Sequence, residues 1–136
     1  MKYLIATELF FPSIGGQQSR LKLLADSLLE LGHDVEVICI SHASGLKDKE
    51  TVKNISVRRI VHSEKYTKPI FSFLKRDWFT IFKYSLRLRK ILKNETYDIV
   101  ILNQWPILHC FFIPKKIRKI CILDWCESRS SFIFKI

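Results

Sequence analysis

The chain has 136 residues, 48% of them apolar and 26% charged, which is enough apolar material for one packed domain and excludes a disordered or low-complexity chain. Lysine and arginine outnumber acids 23 to 13, a net charge of +10. The excess is local: residues 65–93 hold nine Lys/Arg against the single acid Asp77, whereas residues 1–40 sum to −2, so an anionic partner at one face is expected.

In chain order, residues 2–7 read as a short buried strand and residues 8–16 as a loop broken by Pro12 and Gly15-Gly16. A helix is expected from about Gln17 to Leu31, with Leu21, Leu24, Ala25, Leu28 and Leu31 in one stripe. Gly32 sits where a glycine closes such a helix. Residues 35–40 form a second strand, apolar enough for the interior of a parallel sheet. Residues 41–54 are polar and irregular. Residues 55–61 alternate and read as a third strand nearer an edge. A loop or short broken helix spans 62–76, and a long helix spans about 77–93. A fourth strand at 97–102, a short helix at 106–112 and a fifth strand at 120–123 complete the series. This order predicts an α/β fold: a Rossmann-like, mostly parallel sheet with helices on both faces, in one domain over residues 1–136.

The longest apolar runs fall far short of the roughly 20 residues a membrane-spanning helix needs. Lys2 and the run from Tyr3 to Ala6 imitate a signal peptide, but Glu8 interrupts it and no small-residue cleavage site follows. The expected place is therefore the cytoplasm. Cys39, Cys110, Cys121 and Cys126 have no C-x-x-C spacing, so the expectation is buried free thiols, with no metal and no cofactor.

Ligands in open α/β folds bind beyond the carboxyl ends of the strands. The first strand-to-helix loop is such a place, and it holds half of the four glycines. Glycine lets a backbone approach a ligand closely, and the following helix aims its amides at the loop. The nicotinamide fingerprint G-x-G-x-x-G and the P-loop Gly-Lys-Ser/Thr are both absent. On this chemistry alone, a phosphate ligand and a tight turn without one stand level.

The succession Thr7-Glu8-Leu9-Phe10-Phe11-Pro12-Ser13-Ile14-Gly15-Gly16, a leucine-striped helix, and Leu31-Gly32-His33-Asp34-Val35-Glu36-Val37 resembles the start of family 4 glycosyltransferases of the GT-B fold. Those enzymes open with an FPP-x-x-GG loop and a GHEV junction. Tyr97-Asp98-Ile99-Val100-Ile101-Leu102 is similar to their YDVVH strand. The resemblance implies an N-terminal, acceptor-side domain, C-terminally truncated, with the donor-binding domain absent. It implies that Gly15 and Gly16 line an interdomain cleft and that Gln17 reaches a phosphate or the acceptor. A nucleotide sugar would bind only with a donor-binding partner, and the acceptor would be a sugar or a lipid-linked sugar.

Asp124 and Glu127 follow the fifth strand at another carboxyl end, where family members often place a His or an acid. They are the candidates for a general base or an anchor for an acceptor hydroxyl, against a helix cap plus a solvated acid. Asn103, Gln104 and Trp105 hold the equivalent place after the fourth strand, with amides and a ring suited to sugar hydroxyls and faces. His33 reads as a junction residue, and His109 beside Cys110 is a weak nucleophile pair.

On the long helix, Trp78, Ile81, Phe82, Leu88 and Leu92 are expected to pack on the sheet. Phe79 and Leu86 instead share an arc with Lys83, Arg87, Lys90 and Lys93. Apolar groups in a cationic face suit an anionic membrane surface, and a solvated basic helix is nearly as good a reading. No nucleic-acid motif accompanies the charge. Three functions are thus open: an acceptor-binding portion of a transferase in polysaccharide or glycolipid synthesis, peripheral at the inner face of a membrane; a non-catalytic subunit anchoring a partner transferase; and an inactive fragment.

Overall fold

The computed structural model describes residues 1–68 and 76–125. In chain order the elements are β1 (Lys2–Ala6), α1 (Gly16–Glu30), β2 (Asp34–Ser41), β3 (Lys49–Val52), β4 (Ile55–His62), α2 (Trp78–Asn94), β5 (Ile99–Asn103), α3 (Leu108–Phe111), a 3₁₀ helix (Lys115–Ile120) and β6 (Cys121–Asp124). They build one six-stranded sheet in the order β3-β4-β2-β1-β5-β6. Every pair is parallel except β3 with β4. The Rossmann-like α/β architecture expected from the sequence is present.

Successive side chains of a strand point to opposite faces, and the core divides accordingly. Ile5, Val37, Cys39, Val57 and Ile101 pack with Leu21 and Ala25 of α1 on one face. Leu4, Ala6, Ile38, Ile40 and Leu102 pack with Ile81, Tyr84, Leu88 and Leu92 of α2, and with Ile113 and Ile117, on the other. The chain leaves β1 for β2 on one side and reaches β5 on its other side. The sheet order therefore reverses beside β1, which opens a crevice at the carboxyl ends of β1 and β5.

Helix α1 ends as its glycine predicted. Gly32 takes φ +79°, its N–H donates to the Leu29 carbonyl, and the N–H of His33 donates to that of Leu28. This pair of bonds is a Schellman closure, and it turns the chain directly into β2. Leu31, expected in the apolar stripe, caps the helix and is exposed.

Three expectations need correction. The irregular stretch 41–54 contains β3, which pairs antiparallel with β4 and makes β4 an interior strand. Four residues bearing Lys49 and Glu50 give too short and polar a run to declare themselves; the ladder to β4 makes them a strand. Second, Trp78 and Phe82 do not pack on the sheet, each being 43% exposed. Helix α2 is rolled so that Thr80, Tyr84 and Ser85 turn inward. Their hydroxyls find acceptors there: Tyr84 donates to the Ile38 carbonyl at 2.9 Å, Ser85 to Ile81 at 2.8 Å, and Thr80 to the Asp77 cap. Satisfied hydroxyls are admitted to the core at little cost, and the two aromatics are displaced outward. Third, the last strand begins at Cys121, because Lys115–Ile120 coil into the 3₁₀ helix.

Candidate functional site

The crevice is built from three carboxyl ends and one helix start. Gly15 is the N-cap of α1, Asn103 ends β5 and Asp124 ends β6. These positions are far apart in sequence, and side chains join them. The Nε2 of Gln17 donates to the Oδ1 of Asn103. Asn103 Nδ2 donates to Asp124 Oδ2 at 3.1 Å. Arg20, one turn into α1, grips both oxygens of Asp124, its Nη1 reaching Oδ1 at 2.9 Å and its Nη2 reaching Oδ2. Of the expected site residues, Gln17, Asn103 and Asp124 thus form one hydrogen-bonded chain beside Gly15 and Gly16. Glu127 lies outside the described residues.

The two glycines differ. Gly15 is extended, and a Cβ placed on it would meet the Gln18 Oε1 at 2.5 Å. A Cβ on Gly16 would meet nothing within 4 Å. Gly15 is thus a packing position for buried Gln18, and Gly16 faces open space. The first turn of α1 carries no acidic residue and no side-chain cap, so its amides retain the positive potential of a helix start.

Asn103 is fully buried. Its Oδ1 also accepts from the N–H of Trp105 at 3.1 Å. It therefore positions Gln17, Trp105 and Asp124 rather than presenting itself to a ligand. Gln104 is buried as well, with its N–H donating to the Asp124 carbonyl at 3.0 Å. Trp105 is half-buried. With both oxygens engaged by a guanidinium and an amide, the Asp124 carboxylate is a well-oriented hydrogen-bond acceptor.

Two further residues frame the crevice and were not singled out in the sequence. Glu8, just after β1, is buried and accepts from the Tyr66 hydroxyl at 2.6 Å and from Arg76 Nε at 3.0 Å. Burial first, and then the Glu8 charge, push the Tyr66 phenol far above its ordinary value, so it stays a donor. Arg59, inside β4, is only 3% exposed. Its guanidinium donates to the carbonyls of Phe11 at 2.6 Å and Lys47 at 2.9 Å and pairs with Glu50 at 2.5 Å. It ties the first loop to the loop before β3. A lone acid inside an apolar N-terminal run and an arginine inside a strand were the available signals, and neither named its partners.

The reading of His109 and Cys110 as a nucleophile pair is not supported by their surroundings. His109 is fully buried, its ring 5.9 Å from that of Tyr84. Burial lowers it to about 4, against a weaker opposing pull from the Asn103 backbone. Burial also raises the Cys110 thiol, so neither group is poised for attack near neutrality. No group of three metal-ligating side chains gathers among the described residues.

On α2, Phe79 is 64% exposed and Leu86 43%. Lys83, Arg87, Lys90 and Lys93 are exposed on the same helix. Lys83 Nζ stands 4.4 Å from the Phe79 ring centroid. Arg87 is partly committed, donating to the Ile60 carbonyl. The outward roll of α2 adds Trp78 and Phe82 to this face, and Phe82 packs edge-on against Phe112 beside exposed Phe111 of α3. Among the described residues no helix is long and apolar enough to cross a membrane.

Comparison with known proteins follows the same outline. The Glycosyltransferase Family 4 pattern matches residues 14–123. An uncharacterized 42.6 kDa protein in the cps region of Klebsiella pneumoniae is 28% identical over 106 residues, covering 73% of this chain and 28% of that protein. The fold is similar to that of sucrose-phosphate synthase from Thermosynechococcus elongatus, at TM-score 0.55 and 15% identity, over 82% of this chain and 28% of that one. It is also similar to the C-terminal domain of a hydrogenase from Pyrococcus furiosus, at TM-score 0.53 and 18% identity, over 91% of this chain and 90% of that domain. The chain thus spans about a quarter of the Klebsiella protein and of the synthase. With the pattern running from the Gly15-Gly16 loop almost to the end of β6, the chain belongs to glycosyltransferase family 4.

Proposed function

We propose that this domain holds the sugar acceptor in a GT-B glycosyl transfer whose nucleotide-sugar donor is bound mainly by a second, donor-side domain. The observation that carries this reading is the Gln17–Asn103–Asp124–Arg20 chain at the carboxyl ends of β5 and β6, beside Gly16. Asp124, oriented by Arg20 and Asn103, suits an acceptor hydroxyl as anchor. The open backbone at Gly16 and the uncapped start of α1 suit the donor diphosphate. Proton abstraction would then fall to Glu127 or to a group of the donor side. The basic, aromatic face of α2 would rest on an anionic membrane surface at its cytoplasmic side, bringing the crevice to a lipid-linked acceptor in polysaccharide or glycolipid synthesis.

The test is transfer from a panel of nucleoside diphosphate sugars by this chain together with a donor-binding half. Asp124→Asn is expected to lower turnover by about 100-fold by misplacing the acceptor, and an unchanged rate would remove Asp124 from the site. Flotation with vesicles of anionic phospholipid tests the surface. Lys83→Glu with Lys90→Glu and Lys93→Glu, which spare the Arg87 bond to the Ile60 carbonyl, is expected to abolish binding. Equal binding by wild type and variant would exclude the membrane.

The engagement of Asp124 by Arg20 favours one second reading, a non-catalytic subunit that anchors a partner transferase. Vesicle binding together with a partner whose turnover does not depend on Asp124 would select it.

A further inference from the structure

Helix α2 ends at Asn94, shortly before β5, and the 3₁₀ helix ends at Ile120, directly before β6. β5 and β6 are parallel, so both helix ends stand at the amino rim of the sheet, opposite the rim of Asn103 and Asp124. Side chains join them. Lys116 Nζ donates to the Lys93 carbonyl at 2.6 Å, and Arg89 Nη1 donates to the Phe112 carbonyl at 3.2 Å. Ile113 and Ile117 pack with Leu88 and Leu92 beneath. Lys93, Lys115, Lys116, Arg118 and Lys119 thereby gather at one pole, and each is exposed.

One of these cations serves the fold. Lys116 satisfies a carbonyl that the end of α2 leaves without an intrahelical partner. The others are surplus. The acids that follow α2 are already engaged: Glu95 accepts from Arg58 Nη1 and Nη2, each at 2.8 Å, and Asp98 accepts from the Lys2 N–H at 2.6 Å. Lys115, Arg118 and Lys119 pair with no carboxylate among the described residues. Strand β5 has five residues, so at roughly 3.3 Å per residue the pole lies about 13 Å from the crevice. That exceeds the Debye length of about 8 Å at physiological salt, so the pole serves a partner other than the ligands of the crevice.

The chemistry of the patch selects the partner. Residues 87–94 and 113–120 contain no acid and no aromatic residue. The exposed aromatics of α2, Trp78, Phe79 and Phe82, lie in its first two turns, at the other end of the helix. A membrane surface is gripped by apolar anchors set among the cations. Single-stranded nucleic acid is gripped by aromatic platforms and arginine forks, and the rings of an acidic glycan also stack on aromatic faces. Four of the five cations here are lysines, hydrated point charges suited to carboxylates that stay in water. We propose that this pole docks a carboxylate-rich segment of a partner protein, held by charge. Such docking is independent of sugar transfer and of the α2 face offered to a membrane.

The test uses the full chain and a labelled oligoglutamate peptide, with oligoglutamine beside it, read by fluorescence anisotropy. Two triple variants separate place from total charge. Lys115→Glu with Arg118→Glu and Lys119→Glu strips the pole and spares the Lys116 bond. Lys47→Glu with Lys49→Glu and Lys53→Glu, all exposed around β3, is the control. Each variant reverses three cations, so each lowers the net charge by six, from +10 to +4. Oligoglutamate is expected to bind the wild type and to weaken as salt rises. Its affinity should fall roughly tenfold or more in the pole variant and about twofold in the control. Equal loss in the two variants, or equal binding of oligoglutamine, would overturn the proposal. An RNA homopolymer, an oligogalacturonate or an anionic phospholipid vesicle that depends on the pole residues more than the peptide does would overturn it as well, and would name the other class of partner. If the pole variant fails to fold, Lys115→Gln with Arg118→Gln and Lys119→Gln takes its place, and peptide binding unchanged by that variant would overturn the proposal. Sugar transfer enters none of these readouts, so a failed transfer assay and a failed pole are told apart.

Discussion

Replacing His109 by Leu should make the fold markedly more tolerant of mild acid. His109 is fully buried against Tyr84, where burial outweighs the weaker opposing pull of the Asn103 backbone. Burial holds it neutral down to about 4, whereas the unfolded chain titrates near 6.5. As the pH falls through 6.5, the unfolded chain takes up a proton that the folded chain refuses, and stability falls until about pH 4. The full gap is worth roughly 3 kcal/mol, at about 1.4 kcal/mol per pH unit. Between pH 7 and about 4.5 the wild type should lose about 2.5 kcal/mol that His109→Leu keeps. His42, also lowered by burial and then by Arg59, contributes alike to both proteins and cancels in the difference. Urea unfolding at the two pH values, followed by tryptophan fluorescence, measures it. Parallel losses in wild type and variant would show that the His109 ring charges without unfolding, and the reasoning would be wrong.

Three other predictions follow from the same structure. Arg59→Met should cost on the order of 3 kcal/mol in urea unfolding, because it leaves Glu50 and the carbonyls of Phe11 and Lys47 without their common donor; a cost below about 1 kcal/mol would mean that water replaces the guanidinium. Gly16→Val should leave the thermal midpoint nearly unchanged, since its side chain meets open space, while weakening binding of a nucleoside diphosphate sugar to the reconstituted enzyme; equal loss of both would make the glycine purely structural. Glu95, brought down to about 2 chiefly by its hydrogen bonds from Arg58, contributes stability that is complete above about 4.5 and lost as the pH falls toward 2. Glu95→Gln should therefore flatten the unfolding profile below pH 4.5 and leave it unchanged above, and an unaltered slope would refute the pair's contribution.

Much of the fold was legible because the relevant signals are local. The continuous apolar runs of β1, β2 and β5 announce strands buried on both faces. The stripe of α1 and the glycine at position 32 mark a helix and its end. The Gly15-Gly16 loop could be placed at the carboxyl end of β1 because the first strand-to-helix connection of such a sheet lies there. Strand β3 and the roll of α2 were not legible, because each depends on a partner distant in sequence. Lys49–Val52 become a strand only through the ladder to β4. Thr80, Tyr84 and Ser85 enter the core only because Asp77, Ile38 and Ile81 offer acceptors.

The site divides in the same way. Positions at strand ends together with the family resemblance nominated Gly15, Gly16, Gln17, Asn103 and Asp124 one by one. Only the sheet order, which sets β5 and β6 beside the start of α1, decided that Asn103 is a buried support and that Asp124 is held by Arg20. Chain sequence determines which residues are apolar, which turn and which carry charge. Whether a carboxylate is a base or an anchor depends on what stands within about 3 Å of it, and residues 104 positions apart meet at that distance only when the sheet is assembled.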